Sequence, residues 1–432
     1  MSAISSQSLR SYQVIQRDFS AQGVQVALKN GSTLFYGVGG PYTMDGTENI
    51  MVGDVWVLAG QSNMRGFAYF KDPWTHKDTE KLIHDKTIHL FDMTENWSVA
   101  KDPVHELSKS IRNVNYNIQD GTVTNPELPL IRGGSLALSF AKKYQELIQK
   151  DVGKKVPVGL IASAHGGVTL DQWSPTLLRD SSQWKNDTLY GAMLGRIEAS
   201  GSNKIAGVLW YQGESDTRNI TLASTYKTRM KSWIDHVRTD LNSSNLNVVQ
   251  VQIARELADG NYDLGWSLVR DAQATLIDKN VATVSSVDCP LDDRIHLSLK
   301  GQYMMGDRVA IAAHAVMNNK GSMVSPYIQS VEYEKGNTSR PPALRLTFGN
   351  VSSFKKVEAP QGFSLHNIET GIEEAIIFKT TIYGGTVRIL LASEIGNKTL
   401  DLYYGYGKNP ISNIVSTGGM GLLTFGPMKV TS

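Results

Sequence analysis

Between residues 52 and 318, short apolar runs alternate with stretches of helical period. Val55–Ala59, Val156–Ala162, Ile205–Tyr211, Val248–Ile253 and Val281–Val287 are rich in β-forming residues, as expected of strands buried on both faces. Between and after them, Gly134–Lys150, Leu189–Ala199, Leu222–Leu241, Leu264–Asp278 and Leu297–Met317 read as helices. In the first of these Leu136, Phe140, Leu147 and Ile148 share a face. Strands alternating with helices predict a parallel sheet covered on both sides, and right-handed crossovers bring its strand ends to one edge.

The pattern differs at both ends. Tyr12–Ile15, Val24–Leu28 and Thr33–Tyr36 are short β-rich runs punctuated by Asn30-Gly31 and Gly39-Gly40, so residues 1–51 predict a small antiparallel lead-in. Residues 67–130 are long, polar and irregular, the mark of a functional loop or of hidden short elements. From Val324, short strands return at Ile328–Tyr333, Ala343–Phe348, Ala375–Lys379, Val387–Leu391 and Leu400–Tyr404. With Gly, Asn and Pro between them, they predict an antiparallel β-sandwich over 324–432. The expected division is therefore 1–51, 52–320 and 324–432.

Composition narrows the function. The chain has 432 residues, 41% of them hydrophobic, and a net charge of +2, so no broad basic surface points to nucleic acid. No apolar run is long enough for a membrane span. Met1–Arg10 is polar and Ser-rich, so no signal peptide is expected in this chain; the protein is expected to be secreted if one has been removed and cytoplasmic otherwise. The single cysteine, Cys289, permits no intramolecular disulfide and reads as a small buried residue.

The candidate chemistry lies at the strand ends. Asp54–Gly66 runs from an apolar strand into Gly60-Gln61-Ser62-Asn63, which places a hydroxyl at the carboxyl edge of a sheet. A second strand ends in Ala164-His165-Gly166-Gly167, a third in Gln212-Gly213-Glu214-Ser215-Asp216, and Asp292-Asp293-Arg294-Ile295-His296 precedes the last helix. Together they supply the parts of acyl transfer: Ser62 as nucleophile, His296 as base and Asp293 to orient the imidazole. The Ser62 N–H, a glycine N–H at Gly166 or Gly167 and the Gln212 amide would serve as oxyanion donors. Asp292 competes with Asp293, but its spacing to His296 is four rather than three. Each motif alone is an ordinary turn, cap or solvated charge. Trp173, Trp74 and Trp97 could stack on a sugar or simply pack in a core. No Gly-x-Ser-x-Gly elbow, Walker loop, dinucleotide fingerprint or zinc-protease motif occurs, and His76, His84 and His89 lack a ligand spacing.

Gly60-Gln61-Ser62-Asn63-Met64, Trp210-Tyr211-Gln212-Gly213-Glu214-Ser215-Asp216 and Asp293-Arg294-Ile295-His296-Leu297-Ser298 resemble the sequence blocks of SGNH-type hydrolases. The match is nearest to the sialate O-acetylesterase group and its relatives in carbohydrate esterase family six. The resemblance implies a flavodoxin-like doubly wound sheet and a serine esterase that removes acetyl groups from sugar hydroxyls without a metal or other cofactor. It implies Ser62, His296 and Asp293 as the catalytic residues, and Gln61, Asn63, Glu214 and Trp173 as supporting or substrate residues. Many SGNH enzymes carry Asn where this chain offers Gln212. The expected partner is an acetylated carbohydrate, of sialic acid or of a plant polysaccharide, in a monomer or homodimer. The alternatives are a carbohydrate-binding protein on a hydrolase scaffold and an esterase acting on other esters.

Overall fold

A computed structural model describes residues 3–119, 127–202, 204–318 and 324–432. Part of the long polar loop, and residues 319–323 at the boundary expected between the central and C-terminal domains, thus lie outside the described residues. The fold is mixed α/β, and the chain divides into two compact units. The first comprises Met1–Gln212, Arg229–Val249 and Pro290–Lys320, and the second comprises Gly213–Thr228, Gln250–Cys289 and Gly321–Ser432.

In the first unit the central strand is β1, Thr47–Gly60, buried along almost all its length from Ile50 onward. It leads into the one-turn helix α1, Ser62–Arg65. β2 is Ile88–Phe91, α2 is Ala137–Val152, β3 is Val158–Ala162, β4 is Gly207–Tyr211 and α3 is Leu299–Met317. The order β4–β1–β3–β2 is parallel throughout, with Trp97–Val99 antiparallel outside β2. Register places Gly60 beside Tyr211 and Leu58 beside Ala162, so three neighbouring strands end within two residues of one another at the same edge. The sequence pattern missed β2, a four-residue buried run inside the polar loop. Its strand character comes from pairing with β3, which no local signal announces.

The lead-in is only partly antiparallel. Gly23–Ala27 and Thr33–Gly37 form a hairpin, but Val14–Gln16 pairs parallel with β1 through Met51, Val52 and Gly53. This junction contains Asp54, a carboxylate inside an apolar run. It is fully buried and fully served: Arg17 donates from Nε at 2.8 Å and Nη2 at 3.0 Å, Gln16 at 3.2 Å and the Tyr144 hydroxyl at 2.8 Å. A buried charge persists only when paired in this way.

α3 packs on α2, and Gly306 permits the close approach. A Cβ there would lie 1.9 Å from Ser139 Oγ and 2.6 Å from the Phe140 nitrogen. Ser298 caps α3 by accepting the Gly301 N–H at 3.2 Å, which fixes where the helix starts and where the loop before it must end.

In the second unit, a four-stranded antiparallel sheet runs Tyr327–Glu334, Ala343–Gly349, Thr386–Leu391, Ile377–Tyr383. A three-stranded sheet runs Phe363–Asn367, Leu400–Tyr404, Phe425–Val430. Alternate residues of both, among them Leu344, Leu346, Ile389, Leu365, Leu400 and Leu402, enter one hydrophobic cluster. The pattern missed Phe363–Asn367 and Phe425–Val430, and placed Ile377–Tyr383 too early. Hydrogen bonds join Gln250–Cys289 to the tail. Gln252 accepts the Thr424 N–H at 2.9 Å and donates to its carbonyl at 3.1 Å, and buried Arg270 donates to the carbonyls of Gly405 and Gly407.

Candidate active site

The hydroxyl-bearing turn is built by close packing of two strand ends. Gly60 has φ +135°, and a Cβ on it would stand 2.1 Å from the Tyr211 carbonyl oxygen. Only glycine fits there. Gln61 then donates its N–H to that carbonyl at 2.8 Å, and its own carbonyl receives Met64 and Arg65 N–H at 3.0 and 2.8 Å, starting α1. Ser62 opens this helix, 8% exposed. Among the described residues its hydroxyl makes no side-chain hydrogen bond, including none to His296.

The Asp293–His296 loop closes on itself. Asp293 Oδ1 accepts the backbone N–H of Ile295 at 2.9 Å and of His296 at 2.8 Å. Its Oδ2 lies 2.8 Å from His296 Nδ1. The imidazole donates through Nδ1–H, so Nε2 carries the lone pair. Burial pushes the Asp293 carboxyl up, but the His296 ring and these two N–H donors outweigh it and hold the group well below the usual carboxylate range. Asp292, the competing carboxylate, is engaged elsewhere. It accepts the Tyr69 N–H at 2.8 Å, and burial raises its pKa.

Asn63 joins the two motifs. Fully buried, it accepts the Leu297 N–H on Oδ1 at 3.0 Å and donates from Nδ2 to the Ile295 carbonyl at 3.3 Å. Gln302, in the first turn of α3, donates to the Asn63 carbonyl at 3.0 Å. The residue after Ser62 thus holds the backbone on both sides of His296.

The remaining expected residues are placed as follows. Gly166 is buried, and its carbonyl lies 2.8 Å from His165 Nδ1; Gly167 is exposed with φ +68°. Gln212 is buried, its amide donating to the Val168 carbonyl at 2.9 Å and to Gln61 Oε1 at 3.4 Å. An oxyanion would compete with those acceptors. Glu214 is buried in the second unit. Trp173 is fully buried and edge-on to Trp210 at 5.3 Å, so it packs a core and presents no face to a sugar. Trp97 is buried and donates to the Ser200 carbonyl at 3.0 Å, whereas Trp74 is 90% exposed.

Two residues at the site had no signal in the sequence. Arg132, just past the long loop at the start of the short strand Arg132–Gly134, donates to Asp293 Oδ2 at 2.9 Å. His105, inside the long loop, accepts the Ser163 N–H on Nε2 at 3.2 Å and so donates from Nδ1 to the Arg65 carbonyl at 3.0 Å. It ties the end of α1 to the end of β3, and burial drives its pKa down to about 3, keeping it neutral. A lone Arg or His in an irregular segment has no period to reveal it. Among the described residues no group of three His, Cys, Asp or Glu side chains could hold a metal, and no helix is long and apolar enough to cross a membrane.

The model of a family described as carbohydrate esterase, sialic acid-specific acetylesterase matches residues 52–315, more than half of the chain. The chain belongs to that family. This esterase is 29% identical to a probable carbohydrate esterase of Arabidopsis thaliana over 268 residues, 60% of this chain and 89% of the relative. Among solved structures, a novel carbohydrate acetylesterase from Xanthomonas citri is similar over 98% of both chains, with a TM-score of 0.66 at 20% identity, which is a likeness of fold. The serine and Asp-x-x-His blocks and all of β1 from Val52 fall inside the matched residues.

Proposed function

We propose that this esterase hydrolyses O-acetyl esters on carbohydrates through an acetyl-enzyme on Ser62. His296 Nε2 removes the hydroxyl proton as Oγ attacks the acetyl carbonyl. Asp293 holds the imidazole in the required tautomer and stabilises the imidazolium. The oxyanion is met by the Ser62 N–H, an N–H at Gly166 or Gly167, and the Gln212 amide once it releases the longer of its two bonds. The sugar leaves with the proton from His296, and water activated by the same nitrogen frees acetate. Gln61 supports this site through Gln212, and Glu214 is read as a supporting residue from the resemblance alone. The single observation carrying the reading is the Asp293–His296 pair at 2.8 Å, in a loop held by the residue next to Ser62.

We also read the parallel sheet as the flavodoxin-like doubly wound type. The domains are then 1–51, 52–320 and 324–432, with the tail an antiparallel sandwich whose two sheets share one core. The test is acetate release from a chromogenic acetyl ester, acetylated xylan and O-acetylated sialic acid, with Ser62→Ala alongside. Release that vanishes in a folded Ser62→Ala protein supports the mechanism and ranks the sugars. Retained release in that variant overturns it, and no release from any ester moves the function toward carbohydrate binding.

A further inference from the structure

The triad explains one of the two donors at the Asp293 carboxylate. Oδ2 receives His296 Nδ1 at 2.8 Å and Arg132 Nη2 at 2.9 Å. Arg132 is held on several sides. It donates from Nε to the Phe67 carbonyl at 2.7 Å, and its guanidinium lies 3.7 Å from the centre of the Phe67 ring and 4.2 Å from that of Tyr69. The Phe67 ring in turn packs on the His296 imidazole at 4.5 Å. Backbone pairing fixes the starting point, since Arg132–Gly134 runs antiparallel to Ala68–Tyr69 with Arg132 opposite Tyr69. One side chain, 8% exposed, therefore touches both the carboxylate that orients the imidazole and the ring that flanks it.

We propose that Arg132 is a positioning residue for the His296 base: it locks the Asp293 carboxylate and the Phe67 ring around the imidazole. The inference rests on the triad reading above. Two fixed contacts leave the imidazole little room to rotate, which matters because small misplacements of a base are costly. The other charged or titratable groups here are Asp292 and Arg294 on the same loop, Arg65 at 5.4 Å from the Phe67 ring, Tyr69, and Asp72, which acts on Asp292. Asp292 is repelled by the Asp293 charge, whereas Arg132 bonds the Asp293 carboxylate directly.

The test is the pH profile of kcat/KM on a chromogenic acetyl ester for the parent, Arg132→Met and Arg132→Lys, with Ser62→Ala and His296→Ala in parallel. Removing the guanidinium frees the carboxylate and the ring, so kcat of Arg132→Met falls by about tenfold or more across the profile, with KM nearly unchanged. Arg132→Lys keeps a cation but not the fork and recovers only part of that loss. Parent-like kcat in folded Arg132→Met, or a loss confined to KM, overturns the inference. If Arg132→Met does not fold, parent-like kcat in Arg132→Lys overturns it instead. Full activity in Ser62→Ala or His296→Ala would sink the triad reading itself, whereas two dead controls with parent-like Arg132 variants sink only the role of Arg132.

Discussion

Replacing Asn63 with alanine cuts the joint between the nucleophile turn and the base loop. Two hydrogen bonds are lost, the Leu297 N–H to Oδ1 at 3.0 Å and Nδ2 to the Ile295 carbonyl at 3.3 Å. They do not weigh equally. Leu297 is fully buried, so its N–H loses its partner where water cannot replace it, at about 1–3 kcal/mol. Ile295 is half-buried and its bond is long, so its carbonyl can find water, at about 0.5–1 kcal/mol. The sum is about 1.5–4 kcal/mol, and catalysis suffers with it because His296 lies between the two released groups. Urea unfolding followed by tryptophan fluorescence measures the first effect, and kcat/KM on an acetyl ester, expected to fall about 100-fold, the second. Stability within about 0.5 kcal/mol of the parent together with unchanged kcat/KM would refute the reasoning. Asn63→Asp keeps the acceptor for Leu297 but turns the donor facing Ile295 into an acceptor. It is therefore expected to fold less stably than the parent above pH 6, by the same unfolding assay.

Asp102 is half-buried, with Ser135 donating to it at 2.8 Å, and desolvation of its carboxylate raises its pKa to about 7. The folded state then holds a proton that the unfolded chain loses near pH 4, so this group's contribution falls as pH rises from about 4 to 7 and levels above, by ~4 kcal/mol in all. His105 slopes the other way: its folded pKa of about 3 makes stability fall as pH drops below about 6.5. The two offset in the parent, so Asp102→Asn is expected to gain stability relative to the parent from pH 4 to 7, by denaturant unfolding at each pH. A difference that does not vary with pH counts against it. Gly60→Ala is expected to cost about 3 kcal/mol or more and most of the activity, because its Cβ would meet a backbone oxygen at 2.1 Å; a thermal melt close to the parent's would contradict this. Asp54→Ala leaves the Arg17 guanidinium buried and unpaired at a cost of about 3–5 kcal/mol, with little direct effect on kcat in the fraction still folded; chemical denaturation beside an active-site titration separates the two.

Residues along the chain determined much of this protein locally. Apolar runs and the 3.6-residue period set the strands and helices from Gly134 to Met317, with Leu189–Ala199 at the expected bounds, and in the tail Leu400–Tyr404 also fell where expected. These are segments whose own side chains form one buried face or run, so local pattern and final state agree. The serine, glycine, Gln212 and Asp-x-x-His blocks were legible for a similar reason: in a parallel α/β sheet, whatever follows a strand stands at the same edge as its neighbours.

Tertiary structure decided the rest. Asp293 rather than Asp292 meets the imidazole because the Tyr69 N–H takes the other carboxylate. Trp173 became core because Trp210 lies against it, and Ile88–Phe91 became a strand because β3 offered it an edge. Asn63, His105 and Arg132 acquired their roles from partners tens to hundreds of residues away. A single polar side chain has no period, and its role is set by which backbone groups or charges the fold leaves within hydrogen-bond distance of it.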